Sequence, residues 1–506
     1  MSSKGILVLR LSQDSLERAS AATVLPGYDR SEVTVGTVHF GVGGFHRAHQ
    51  AMYLDSLMAR DPHARVFGIC GVNLLPQDRA LVEAMNRQDC LYTVLVRHAD
   101  GSTTPRVIGS IVRHIFAPEA PEAVLSVLED PSVRIVTLTI TEGGYFYAPA
   151  SDTFDMGAPA LLRDAANPLA PSTAFGYIVH ALNRRRLAGV PPFTVQSCDN
   201  LHGNGDITRR VVLELAERVS PQLYAWVHSE VSFPGSMVDR ITPRSTPSDR
   251  AEASELTGLV DDAPVSTEDF SQWVVHDDFT SGRPAWQDVG VQMVADVAPY
   301  ERMKMRLLNV GHASIAYAGR LLGHEFAHEA CEDPSVQGLL VSYQREAALT
   351  LTPIPGTDFE EYSASVVRRF RNPQMRDSVT RLTDQSSTML ANYTLPVVRD
   401  LLDKGLEATA AITIVACWAR FMEGRDEQGR EYDVVDRRGD ELRRRAAHHD
   451  EDIFALVRDN PLFDGLRERD SFLDEYGSIL RAIRSEGTRE VLGTPSAQRA
   501  ASSGAP

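Results

Sequence analysis

A strand candidate that runs straight into a glycine turn and out into a helix constrains this chain more than any other stretch. Thr37-Val38-His39-Phe40 leads into Gly41-Val42-Gly43-Gly44, and Phe45 to Arg60 then shows helical spacing. A short strand follows at 66–72, which is how a βαβ unit begins. The alternation continues: 91–97 and 107–115 read as strands, 121–129 as a helix, 133–140 as a buried strand, 171–188 as a helix, 193–197 as a strand and 207–219 as a helix. Strands separated by helices of this size predict a mostly parallel α/β sheet with helices on both faces. Beyond about residue 285 the stretches 299–322, 334–349, 358–371, 373–383, 396–403 and 406–423 all read as helices. The expected division is 1–284 for the sheet domain, 285–490 for a helical domain and 491–506 for a small polar tail, expected to be disordered. Within the first part, 1–34 reads as a leading arm and 224–284 as a mixed linking region. An α/β half followed by an α half suggests a cofactor domain and a substrate domain, with the site between them.

Composition narrows what such a chain can hold. Lys plus Arg number 51 against 68 Asp plus Glu, a formal charge of −17. That balance argues against a sequence-independent grip on a nucleic-acid backbone. No apolar run approaches the roughly 18 residues of a membrane helix, and the N-terminus lacks a signal-peptide core. Cys70, Cys90, Cys198, Cys331 and Cys417 lie far apart with no CxxC pair. This favours a reducing, cytoplasmic setting and argues against a structural zinc site.

Four places carry possible chemistry. At the glycine turn, Gly41, Val42, Gly43, Gly44 and Phe45 sit where backbone N–H groups can hold a pyrophosphate. His46, however, replaces the third glycine of the usual fingerprint. The acid that would bind a ribose is expected near the end of the second strand, where Asn73 stands; the next acid is Asp78, which serves equally well as a helix N-terminal residue. Asn200 follows a buried strand, at the end where doubly wound sheets place ligands, although an Asp-Asn pair more commonly makes a turn. Asp239 beside Arg240 is either a structural ion pair or a site acid. Finally, Pro299 to Gly323 reads as a helix apolar on nearly all sides, hence buried, yet it contains Lys304, Asn309 and His312. In an uninterrupted α-helix His312 lies about 80° and Asn309 about 140° round from Lys304, so all three can share one broad face. A lysine base, an amide donor and an orienting imidazole suit proton-coupled chemistry on an alcohol or carbonyl. The competing reading is a core helix with a snorkelling lysine and a satisfied histidine.

Taken together, the segment Val38 to Gln50 (VHFGVGGFHRAHQ), Val238 to Pro243 (VDRITP) and Lys304 to Asn309 (KMRLLN) with His312 resemble the polyol-specific long-chain dehydrogenases. The resemblance runs from about residue 25 to about 485. It implies a Rossmann-type N-terminal domain, a mainly helical C-terminal domain, a monomer, and metal-independent, NAD-linked interconversion of a polyol and its ketose, with mannitol and fructose first. A sorbitol or arabinitol enzyme, or a uronate reductase acting on fructuronate, are the alternatives. By the same resemblance Lys304 is the general base, Asn200 and Asn309 bind the oxyanion, and His312 and Asp239 contact substrate. Gly41 to Phe45 form the coenzyme loop, and Asp78 sets coenzyme preference. Lys304 must be neutral to act as base, and burial among methionines and leucines favours that form. One departure bears on substrate: Asn392 stands where the family carries a substrate-contacting lysine. Arg381 or Arg376 is then the cation left for a uronate carboxylate.

Overall fold

The computed structural model describes residues 9–148 and 153–493. By their internal packing these divide at Ala298/Pro299 into two units. The polar tail from 494 onward lies outside the described residues, and 491–493 close a helix, Thr488–Gly493.

The first unit is built on a five-stranded, wholly parallel sheet. Its spatial order is Ile111–Phe116, Gly68–Asn73, Val35–Phe40, Ile135–Leu138 and Thr194–Ser197. The first strand in sequence is therefore central, with the chain winding outward to either side, the order of a dinucleotide-type doubly wound sheet. The strands are buried along nearly their whole length because both faces are covered. Val38, Phe40, Val136 and Leu138 pack with the helices Pro121–Glu129, Ala174–Ala188 and Asn204–Val219. Ile69, Ile111 and Ile135 pack on the opposite face with Gln50–Arg60.

Three features differ from the reading of the sequence. The apparent strand at 107–115 is two strands: Thr103–Ile108 pairs antiparallel with Tyr92–Arg97, and the chain crosses at Gly109-Ser110 into the main sheet. The 224–284 stretch is not a link but part of the first unit. Val265–Glu268 adds parallel to Tyr92–Arg97, while Gln272–His276 pairs with both Ser236–Asp239 and Gln292–Val294. That last short strand carries the first unit past residue 284. The arm also packs down, with Leu11 buried and Arg10 bridging to Val260.

The second unit is helical, and its apolar core is its own. Val310–Leu322 and Thr409–Phe421 are buried on almost every side and pack together, as helices without a polar face must. Gly323, at φ +87°, ends the first of them in the left-handed conformation that favours glycine. Among the described residues no helix is long and apolar enough to cross a membrane.

Candidate active site

In the first unit, the glycine turn is held from below. Gly41 has φ +89°, and a Cβ there would come within 2.1 Å of the Thr139 carbonyl oxygen, so glycine is required by the protein itself. The Thr139 hydroxyl donates to the Gly41 carbonyl at 2.7 Å and lies 2.8 Å from His39 Nε2. Because the hydroxyl's one proton goes to Gly41, Nε2 of His39 is the donor in that second bond. Asn73 donates to the Val42 carbonyl at 3.4 Å and accepts from His114 at 2.7 Å. The side chain at the end of the second strand thus supports the loop.

Gly43 and Gly44 are different. An added Cβ would meet nothing nearer than 3.8 Å at Gly43 and 3.6 Å at Gly44. Packing within the chain does not demand these glycines, whereas close approach of a phosphate to bare backbone would. The turn therefore fits a dinucleotide. The helix it opens is shorter than the pattern suggested, ending at Ala48 and restarting at Gln50 after a break at His49. Phe45 stacks on His49 at 4.8 Å, and His46 lies flat against His39 at 3.4 Å. The ring in place of the third glycine is thus buried packing under the turn. Asp78 is partly exposed just before the helix Arg79–Arg87, and its side chain makes no capping bond to that helix.

The Asp199-Asn200 pair separates into two roles. The Asp199 carboxylate accepts from the Ile140 and Thr141 amides, both at 2.9 Å, and from the Tyr145 hydroxyl at 2.7 Å. It ties two strand ends together, and burial holds its carboxyl above the usual range despite these donors. Asn200 is exposed at the strand's C-terminal edge. Asp239 is buried at the end of its own strand. The neighbouring Arg240 guanidinium donates to the Glu268 carbonyl at 2.8 and 3.1 Å and to the Ala48 carbonyl at 2.5 Å.

In the second unit, the helix expected over 299–323 is α-helical from Ala298 to Lys304, a π turn from Met305 to Asn309, and α-helical again from Val310 to Leu322. A π turn inserts one extra residue into an α-helix. Allowing for it, Asn309 falls about 40° and His312 about 20° round from Lys304. The three polar groups thus share a narrow stripe, not the broad face an uninterrupted helix would give. Lys304 and Asn309 are buried, and the His312 ring stacks on Phe370 at 4.1 Å. A second π turn, Leu390–Thr394, packs against the first and presents Asn392, which is exposed. Arg381 is engaged elsewhere, bidentate on Asp377 at 2.6 and 2.5 Å, with its side chain 62% exposed. Arg376 stacks its guanidinium over Phe326 at 4.7 Å. Among the described residues no group of three or more His, Cys, Asp or Glu side chains is gathered to hold a metal ion.

Lys304, Asn309 and His312 therefore lie on one side of a single helix of the second unit, and the turn bearing Asn392 packs against its π turn. Asn200, Asp239 and the glycine turn belong to the first unit. Sequence reasoning missed both π turns, which have no residue signature, and the supporting roles of Asn73, His39 and Thr139, which depend on strand register.

The profile of the mannitol dehydrogenase Rossmann domain matches residues 35–288, and that of the mannitol dehydrogenase C-terminal domain matches 296–484. A mannitol 2-dehydrogenase of Neosartorya fischeri is 37% identical over 96% of this chain and 98% of its own length. Two solved structures align at 36% identity. One is a D-sorbitol dehydrogenase in substrate-free form, with TM-score 0.90 over 95% of this chain and all of that one. The other is the Pseudomonas fluorescens mannitol 2-dehydrogenase in a ternary complex with NAD and D-mannitol, with TM-score 0.84 over 96% of this chain and 99% of that one. With both domain profiles matched in order and full-length relatives sharing over a third of its residues, the chain belongs to the mannitol dehydrogenase family.

Proposed function

We propose that the protein is an NAD-dependent oxidoreductase that interconverts a polyol and its ketose, D-mannitol and D-fructose first. The observation that carries the proposal is the stripe of Lys304, Asn309 and His312 produced by the π turn, in a chain whose family relatives include a structure with NAD and D-mannitol bound. Oxidised nicotinamide, when bound at the glycine turn, supplies the hydride acceptor. The chain's own part is proton and charge management. Neutral Lys304 takes the hydroxyl proton as the carbon gives up hydride, and its ammonium returns that proton in ketose reduction. The amides of Asn309 and Asn200 donate to the oxygen as negative charge develops there, each such donor typically contributing about 10²–10³ in rate. His312, fixed in plane by Phe370, orients the hydroxyl; Asp239 and Asn392 contact the rest of the polyol. Arginine at 306 is unsuited to the base role because it stays protonated, and its guanidinium is already paired with Asp400 at 2.5 Å.

Asp78 acts on the coenzyme: an acid there repels a 2′-phosphate and so favours NAD over NADP. Its partial exposure and the absence of a capping role support this. We take the reaction to be metal-independent, and resistance of turnover to a chelator tests this. The five cysteines are all free and buried, which favours a reducing setting. Of the two cations open to a uronate carboxylate, Arg381 is held by Asp377 and Arg376 lies over Phe326, which favours a neutral polyol over fructuronate.

The test is NADH oxidation with fructose, other ketoses and fructuronate, with and without a chelator, alongside a Lys304→Ala variant. Turnover on fructose that resists the chelator, and its loss by at least about 10³-fold in Lys304→Ala, is the expected result. Activity confined to fructuronate would overturn the substrate, and a Lys304→Ala enzyme with normal turnover would overturn the base.

A further inference from the structure

The π turn receives support from outside its own helix. The Val310 N–H reaches back five residues to the Met305 carbonyl, and this jump in register disturbs the regular i→i−4 ladder for the carbonyls that follow. The next two carbonyls each accept from a neighbouring helix, Pro334–Ala348. The Tyr343 hydroxyl donates to the Arg306 carbonyl at 2.7 Å, and Gln344 Nε2 donates to the Leu307 carbonyl at 3.3 Å. Both side chains are buried, Tyr343 completely and Gln344 all but 3%. A buried carbonyl left without its donor costs about 1–3 kcal/mol, so these consecutive residues stabilise the very irregularity that aligns the polar stripe.

We propose that Tyr343 and Gln344 are positioning residues, holding the π turn so that Lys304, Asn309 and His312 face one reacting hydroxyl. Neither touches substrate; each acts through the backbone of residues 306 and 307. Burial pushes the Tyr343 phenol well above its ordinary range, so it remains a donor throughout the working pH. The inference rests on the assignment of Lys304 as base, and it adds a reason why the sequence between base and amide runs one residue longer than an α-turn requires. A role confined to core packing would show in stability alone. A positioning role must also show in the chemical step, because misplacing a reacting group by about 1 Å costs about 10²-fold in rate.

Full-length Tyr343→Phe and Gln344→Met proteins, which keep the core volume and remove one donor each, provide the test. The readouts are kcat and its pH profile for polyol oxidation at saturating NAD, the KM for NAD, NADH binding by fluorescence and the melting temperature, with Lys304→Ala alongside. The expected result is kcat lowered by about tenfold or more, a displaced pH profile, and NADH affinity within about twofold of wild type because the glycine turn belongs to the other unit. If both variants keep wild-type kcat and pH profile, even with a lower melting temperature, the positioning role is overturned and only packing remains. If Lys304→Ala is inactive beside a normal Tyr343→Phe and Gln344→Met, positioning alone fails. A fully active Lys304→Ala overturns the base and the positioning role together.

Discussion

Gly41 and Gly43 lie two positions apart in the same turn, yet each is glycine for a different reason. At Gly41, the positive φ and the 2.1 Å approach to Thr139 make any Cβ a folding problem. At Gly43, φ is −112° and the added Cβ has room, so an alanine is compatible with the folded chain. Gly41→Ala should therefore lower the melting temperature, since the left-handed conformation alone costs an L-residue about 1–2 kcal/mol before the clash is counted. Gly43→Ala should leave melting nearly unchanged yet weaken NADH binding by about tenfold, near 1.4 kcal/mol. Melting curves and NADH titrations of the two variants check this, and unchanged affinity in Gly43→Ala would remove the glycine turn as the phosphate cradle. The sequence alone showed the turn but could not divide its glycines, because the division depends on Thr139, nearly a hundred residues away. The same limit applied at Asp239-Arg240: adjacency suggested an ion pair, and only the fold reveals that the arginine serves the Glu268 and Ala48 carbonyls.

At the scale of elements, period-based reading recovered most helices and the parallel strands, because burial on both faces leaves long apolar runs. It failed where the backbone departs from a standard period. Lys304, Asn309 and His312 looked spread over a broad arc because an α-helix was assumed, and a π turn carries no composition cue. Cross-strand rows were equally hidden. His114, Gly71, His39, Thr137 and Gln196 stand side by side across all five strands, forming a polar row beneath the glycine turn. Burial drives the pKa of both His39 and His114 from 6.5 down to about 3. Between those values the unfolded chain binds protons that the folded chain refuses, so stability is full above about pH 6.5 and declines as pH falls. Each histidine contributes a slope of about 1.4 kcal/mol per pH unit, or roughly 4 kcal/mol for the two by pH 5. Denaturant titrations from pH 7.5 to 5 should show this acid loss, and a His39→Gln/His114→Gln protein should show a markedly flatter dependence. An identical slope in that variant would mean the row does not govern acid stability.

For the whole molecule, the change from alternating strands and helices to helices alone was legible as two parts, but the boundary was not. Gln292–Val294 is too short to show a period, and its membership of the first unit comes from pairing with Gln272–His276. The apolar clusters respect the resulting division: three lie wholly before Ala298, and one wholly after Pro299. Each unit thus buries its own core, the main requirement for folding alone. The proposed chemistry is divided in the same way, with the glycine turn in the first unit and Lys304, Asn309 and His312 in the other. Residues 1–298 expressed alone should therefore fold cooperatively and bind NADH, yet oxidise no polyol even at saturating coenzyme, because they lack a base. Fluorescence titration and a mannitol oxidation assay on that fragment make the comparison. Binding without turnover would place coenzyme recognition and proton removal on separate units. Measurable polyol oxidation by the fragment would show that proton removal does not depend on Lys304, and would move the search for the base into the first 298 residues.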